Sequence, residues 1–174
     1  DYLLELVGDK SMTTPQHWTA ERQGRDREDK DEYKLKLNVA FTFSKEVQFI
    51  EHYHNSSWLE HGGSPQKALQ KAFLSQIDGY LKNGSKYNKG EKSIKWEDIE
   101  DCLVFISNNF STQASYENQT KKAVTNEFIT EAMTEWLKHQ LEVYFLENPD
   151  EAVKIGTQVL INKRSRENAD KVRQ

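Results

Sequence analysis

Between Tyr33 and Phe43 every second residue is aromatic or aliphatic: Tyr33, Leu35, Leu37, Val39, Phe41 and Phe43 alternate with Lys34, Lys36, Asn38, Ala40 and Thr42. Successive side chains of a strand leave on opposite faces, so this stretch reads as a half-buried β-strand with one wet side. Ser44-Lys45-Glu46 reads as a short turn. Val47 to Tyr53 then runs back as the partner strand, with Val47 and Phe49 on the buried face, and an antiparallel hairpin is predicted.

Other signals arrange themselves around that strand. Residues 2–7 resemble the end of a helix stopped by Gly8, and the segment from Asp9 to Asp31 is turn-rich and charged. Within it, Trp18 to Arg22 reads as an edge strand and the run Arg25 to Lys30 as a solvated hairpin loop. Gly62-Gly63-Ser64-Pro65 is a helix start in which Ser64 caps and Pro65 takes the first helical position. Apolar residues at 68, 69, 72, 73, 77, 80 and 81 carry that helix to Asn83-Gly84. Ser85 to Ser93 reads as an exposed loop, and Trp96 to Glu100 as one helical turn. Cys102 to Ile106 is unbroken in its apolar character, which predicts a strand buried on both faces and central in the sheet.

Asn126 to Leu146 carries a stripe of Ile129, Met133, Trp136, Leu137, Leu141 and Tyr144, widened by Phe128, Ala132 and Phe145. A stripe at this spacing is core-facing helix rather than an aromatic ligand site at Met133 and Trp136. Asn148-Pro149 breaks the helix, because a residue before proline avoids helical dihedrals. A second helix restarts with Val153, Ile155, Val159 and Leu160 as its apolar side. After Ile161 the pattern turns polar, which predicts a helix that frays or packs on a missing partner. Strands followed by helices, with one strand–helix–strand crossover between Val47 and Phe110, define an α+β fold. It is a two-layer sandwich of a mostly antiparallel four-stranded sheet with helices on one face, plus a C-terminal helical extension.

The bulk numbers narrow the function classes. The chain has 174 residues, 36% hydrophobic and 30% charged, with a formal net charge of −4. That balance argues against a broad nucleic-acid face, which needs many clustered Lys and Arg. One cysteine, Cys102, excludes an internal disulfide and a cysteine-based zinc site, and a cytosolic protein is the simple reading. No run reaches the apolar length of a membrane span. The absence of an initiator Met and the start in mid-pattern suggest an excised fragment. His52, His54 and His61 fall close together, but no carboxylate or cysteine stands at zinc-site spacing, so hydrogen-bonded or solvated histidines are expected and no metal. No nucleophile–base pair marks a small-molecule enzyme.

The polar stretch Tyr116-Glu117-Asn118-Gln119-Thr120-Lys121-Lys122 follows the apolar strand, and its Gln119 amide and Lys121 ammonium stand two residues apart. In an extended segment they leave on the same side, so both donors could aim at one anion. Four landmarks stand in order: His61-Gly62-Gly63 before a helix, Glu97-Asp98-Ile99-Glu100-Asp101 leading into a strand, Gln119-Thr120-Lys121 after it, and Leu146-Glu147-Asn148-Pro149 after the long helix. Their order resembles the transducer domain of the ATPase (B) subunit of bacterial type IIA DNA topoisomerases, the gyrase B and topoisomerase IV B family. The resemblance runs from about Tyr33 to the C-terminus. Relatives often carry Thr-His where this chain has Ser64-Pro65, so any role of that histidine does not carry over.

The resemblance implies a ribosomal-protein-like second-domain fold with a left-handed βαβ crossover. It divides the chain into the end of a linker helix at 1–8, a transducer domain at 9–148 and a C-terminal helix at 149–174 leading toward the DNA gate. ATP with Mg2+ would be held by a preceding ATP-binding domain. Lys121 and Gln119 would be the catalytic contacts, and Gln119, Thr120 and Lys121 the loop that binds the ATP γ-phosphate. The implied partners are a DNA duplex, an A subunit (gyrase A or topoisomerase IV A) in a heterotetramer, and a second B subunit on ATP binding. There would be no membrane partner, and the isolated fragment is expected to be inactive. The alternative is a nucleic-acid-binding or scaffold module of the same fold, using Lys163, Arg164, Arg166, Lys171 and Arg173.

Overall fold

The structure, a computed structural model, describes residues 8, 10–25, 32–55, 57–59, 62–111, 123–124 and 127–173. The alternating stretch forms strand β2 (Tyr33–Phe43), and β1 (Gln16–Gly24) pairs antiparallel along its whole length as an edge strand. The remaining strands are β3 (Phe49–His54), β4 (Ser57–Trp58), β5 (Gly62–Gly63), β6 (Leu103–Ser111) and β7 (Ala123–Val124). Four helices accompany them among the described residues: α1 (Ser64–Asn83), α2 (Trp96–Glu100), α3 (Glu127–Glu147) and α4 (Pro149–Arg173). The main sheet has the order β1-β2-β6-β3-β4, so the apolar strand β6 is central as predicted, with β5 and β7 forming a separate parallel pair.

That order corrects the predicted hairpin. β3 does not pair with β2; β6 lies between them, antiparallel to β2 and parallel to β3. The physical reason lies in β6 itself, whose Val104 and Phe105 are fully buried on opposite faces and need a neighbour on each edge. The connection β3–α1–α2–β6 is then a crossover joining parallel neighbours. The facing of β3 is also the reverse of expectation. His52 and His54 are buried, and Ile50 packs against the main core, whereas Val47 and Phe49 lie with Ala40 and Ile106 around Val104 in the small second cluster.

The helices cover the face carrying Leu35, Leu37, Val39, Phe41 and Phe43. Phe41 is the hub, its ring in edge or stacked contact with Trp18, Phe43, Phe73, Phe105 and Tyr144. From α1 come Ala68, Leu69, Ala72, Phe73, Ile77 and Leu81, at the predicted helical spacing. The N-cap of α1 is Gly63 rather than Ser64, which is a buried first-turn residue. Gly63 takes φ 78, a left-handed conformation natural to glycine, and this turns the chain from β5 straight into the helix. The stripe predicted for α3 is buried throughout.

Asn148 separates α3 from α4, its side chain donating to the Tyr144 carbonyl while Pro149 opens the new helix. The buried side of α4 is Ala152, Ile155, Val159 and Leu160; Val153, predicted to belong to it, is exposed. Past Ile161 the helix continues and packs on this same chain, through polar side chains. Asn162 donates to the Asp98 carbonyl at 2.9 Å, Arg166 grips the Asp98 carboxylate at 2.9 and 3.1 Å, and Lys163 and Arg164 bind Glu91 at 2.8 and 3.0 Å. The partner of the polar helix is therefore α2 and the loop before it.

Candidate functional site at the polar end of the sheet

β6 changes character along its helix-facing side, from Leu103 and Phe105 to Ser107, Asn109 and Ser111. β3 runs parallel beside it and changes in the same direction, with Ile50 opposite Phe105, His52 opposite Ser107 and His54 opposite Asn109. One end of the two-layer core is thus polar. Every such group needs a partner, because a buried polar atom left without one costs on the order of 1–3 kcal/mol. His52 contacts Ser107 Oγ through Nδ1 and Gln66 Oε1 through Nε2, both at 2.7 Å, tying β3 to β6 and to the first turn of α1. Asn109 accepts from the Asn38 backbone at 3.3 Å and donates to the Met133 sulfur at 3.4 Å.

His54 Nε2 lies 2.7 Å from Ser111 Oγ, and its Nδ1 is buried with no partner among the described residues. A bare acceptor is cheaper to bury than a bare donor, so the proton belongs on Nε2, which donates to Ser111. Burial pushes the pKa of His52 down to about 4 despite the Gln66 bond, and burial alone does the same to His54. Both imidazoles are therefore neutral near pH 7. Among the described residues no group of three or more His, Cys, Asp or Glu comes together at a metal-binding distance. His61 lies outside the described residues.

Ser111 is the last residue of β6, and Ala123 the first of β7. Gln119, Thr120 and Lys121 fall between them, outside the described residues. What is described is how the two flanks are held. Ser111 N donates to Asn55 Oδ1 at 2.9 Å, Asn55 N donates to the Asn109 carbonyl at 2.8 Å, and Ala123–Val124 pair in parallel with Gly62–Gly63. Sequence reasoning missed Asn55 and Ser111, because each is a short polar residue in a turn-prone context; the only signal was the polar shift at the end of β6. On the other face of the sheet a hollow of about 930 Å3 opens beside this root, bordered by Glu21, Lys34, Lys36, Asn55, Phe110 and Ser111.

The basic residues of α4 have another use than the one proposed for a nucleic-acid module. Lys163 is buried, and it binds Glu91 and Glu167; Arg164 binds Glu91; Arg166 binds Asp98. Glu91, predicted to lie in an exposed loop, has a side chain only 11% exposed and is held to about pKa 2, first by the Arg164 hydrogen bond, with Lys163 acting in the same direction against burial. These cations are neutralised within the fold. The side chains of Lys171 and Arg173 lie outside the described ones. Cys102 is buried, and burial with Asp101 nearby pushes its thiol up to about 12, so it is no nucleophile.

A two-layer α+β domain with a parallel crossover beside its central strand is the class that the fold defines. Solved structures share it: the 43K ATPase domain of Thermus thermophilus gyrase B in complex with an aminocoumarin (TM-score 0.79, 16% identity, 99% of this chain and 44% of that one), and the topoisomerase IV ATP-binding domain of Francisella tularensis in complex with a small-molecule inhibitor (TM-score 0.69, 20% identity, 84% and 39%). The family model for DNA gyrase B matches residues 1–174, and the chain belongs to that family. Among curated relatives, the DNA gyrase B protein of Spiroplasma citri is 26% identical over 95% of this chain and 25% of its own length, and that of Thermotoga maritima 23% identical over 96% and 26%. The chain spans about a quarter of these relatives.

Proposed function

We propose that this chain is the transducer portion of the B component of a type II DNA topoisomerase, coupling ATP binding and hydrolysis to DNA strand passage through the Gln119-Thr120-Lys121 loop. The observation that carries the proposal is the mounting of that loop. Before it Ser111 ends the central strand of the sheet, and after it Ala123–Val124 pair with Gly62–Gly63, directly before α1. A segment flanked by the innermost strand on one side and by a strand pair leading into a core helix on the other would be coupled mechanically to the whole domain. Family membership supports the reading.

In this reading residues 9–148 form the transducer, 1–8 the lead-in from a nucleotide-binding domain, and 149–174 the start of a lever toward the DNA gate. The Lys121 ammonium and the Gln119 amide bind and orient the terminal phosphate, the first as a point charge and the second as a neutral donor. Preorganised donors of this kind stabilise charge as it shifts during phosphoryl transfer, and their loss of a partner afterwards is the signal for domain movement. ATP with Mg2+, held by a nucleotide-binding domain, would supply the phosphoryl chemistry, and the part of this chain would be to orient its terminal phosphate through Gln119 and Lys121. The partners are a DNA duplex, an A subunit and a second B subunit, and the setting is the cytoplasm. Among the described residues no helix is long and apolar enough to cross a membrane.

The test is Lys121→Ala in the complete gyrase B protein. ATP turnover, followed by phosphate release, should disappear while circular dichroism and the thermal midpoint of the transducer stay unchanged. Turnover at the wild-type rate would remove the mechanism.

A further inference from the structure

We propose that Glu151 is a positioning residue that braces the corner between α3 and α4 against the segment leading into β1, so that α4 turns with the sheet instead of flexing at Pro149. The inference rests on the transducer reading above. Three parts of the chain meet at the Glu151 carboxylate. Thr14 N donates to Oε2 at 2.9 Å, and Tyr144, in the last turn of α3, donates its hydroxyl to Oε1. Glu151 itself stands in the first turn of α4. Burial opposes a charge there, yet the Tyr144 hydroxyl and the Thr14 N–H hold the carboxyl below its ordinary value, so it is ionised near pH 7.

Both partners of that carboxylate are fixed to the sheet. Residues 10–14 are laced onto the end of β2: Met12 N donates to the Phe43 carbonyl at 2.7 Å, Thr42 Oγ1 to the Thr13 carbonyl at 2.8 Å, and Ser44 Oγ to the Lys10 carbonyl at 2.9 Å. Thr13, Thr42 and Ser44 are buried, so these bonds are shielded from water. The Tyr144 ring is buried too, in edge contact with Trp18 of β1 and Phe41 of β2. The corner itself is weakly made. Pro149 has no N–H to give to the helical ladder, and Leu146 and Val153 on either side of it are 76% and 46% exposed. Asn148 donates to the Tyr144 carbonyl within the corner, whereas Glu151 reaches out of the two helices to Thr14. An exposed bond of that kind adds little to folding stability; what it restricts is the direction of α4.

The experiment uses the complete gyrase B protein assembled with its A subunit, and reads ATP turnover by phosphate release and strand passage by the change in plasmid linking number in one reaction. Glu151→Ala removes both bonds, and Thr14→Pro removes the one from Thr14. Glu151→Gln keeps an acceptor for Thr14 N, while its amide can donate to the Tyr144 hydroxyl. Glu151→Ala and Thr14→Pro should each hold ATP turnover within about twofold and lower the passages per ATP about tenfold, the population effect of losing one hydrogen bond to a charged group. Glu151→Gln should restore most of that ratio. A purely stabilising role would lower turnover and passage together with their ratio unchanged, and that result overturns the brace. Hydrogen exchange at the Thr14 amide should quicken in Glu151→Ala and stay slow in Glu151→Gln; equal exchange in the wild type and Glu151→Ala overturns the brace as well. Lys121→Ala is run in parallel. Turnover that survives in it removes the γ-phosphate reading alone, because the ratio in the Glu151 variants is read independently. Wild-type strand passage that proceeds without ATP removes the transducer reading, and the brace with it.

Discussion

Two imidazoles lie in the polar end of the core, and burial holds both His52 and His54 down to about pKa 4. In the unfolded chain each takes up its proton near pH 6.5, so the unfolded state binds more protons between those values and stability rises with pH there. The contribution is complete above about pH 6.5 and drains as the pH falls toward 4, by up to roughly 3 kcal/mol per imidazole. Glu91 acts in a lower window: its stabilisation, led by the Arg164 hydrogen bond, is present above its ordinary 4.5 and lost as the pH falls through about 2. Urea midpoints of the wild type should therefore drop between pH 7 and pH 5, and a His52→Gln/His54→Gln double variant should show a much flatter profile. Equal slopes for the two proteins would mean that the imidazoles are not buried neutral. The spacing of these histidines was legible from the start, but their burial was not. A strand reading Val47, Phe49, His52, His54 offers its larger apolar residues on the wrong face, and only the pairing of His52 with Ser107 and Gln66 makes the histidine face the cheaper one to bury.

Among the elements, α1 and α4 touch at a glycine. A Cβ built on Gly156 would stand 3.1 Å from Tyr80 Cε2 and 3.2 Å from Leu81 Cδ2, whereas at Gly79 it would meet nothing within 4 Å. Both positions gain helix propensity when glycine is replaced, so space decides the sign. Gly156→Leu should cost about 1–3 kcal/mol through overpacking, and Gly79→Ala should stabilise by about 0.5–1 kcal/mol. Thermal midpoints moving in opposite directions would support the contact; a Gly156→Leu protein as stable as the parent would refute it. The helices α1 and α3 and the strand β2 were readable from periodicity, because each buries one face against a single layer; of α4 only the start and part of the apolar side were. The partner of β3 was not readable. Strand pairing is a choice between edges, and the closest strand in sequence lost to the one buried on both faces.

At the scale of the whole molecule, the polar half of α4 is fastened by charge rather than by apolar packing. Asp98, whose side chain is 1% exposed, receives Lys95 N at 2.8 Å and both Arg166 contacts, so it caps α2 and anchors α4 at once. Removing the cation strands a buried carboxylate, and Arg166→Ala should cost about 3–5 kcal/mol. The exposed Lys82–Asp78 pair at 3.1 Å offers the control, since Lys82→Ala should cost well under about 1 kcal/mol. Denaturant unfolding gives both values, and hydrogen exchange should rise along residues 161–173 in the first variant alone. Arg166→Ala at the cost of Lys82→Ala would show that the Asp98 carboxylate is not buried in solution. The acidic Glu97 to Asp101 stretch was visible as a family landmark, yet its use as the seat of α4 was invisible, because the two segments lie far apart in the chain. Local pattern alone marked the four longer strands and the positions of the helices, since each depends on the period of nearby residues. Tertiary structure alone decided which strand neighbours which, which polar side chains are buried, and which cations are already neutralised, because pairing and desolvation are set by partners that periodicity cannot name.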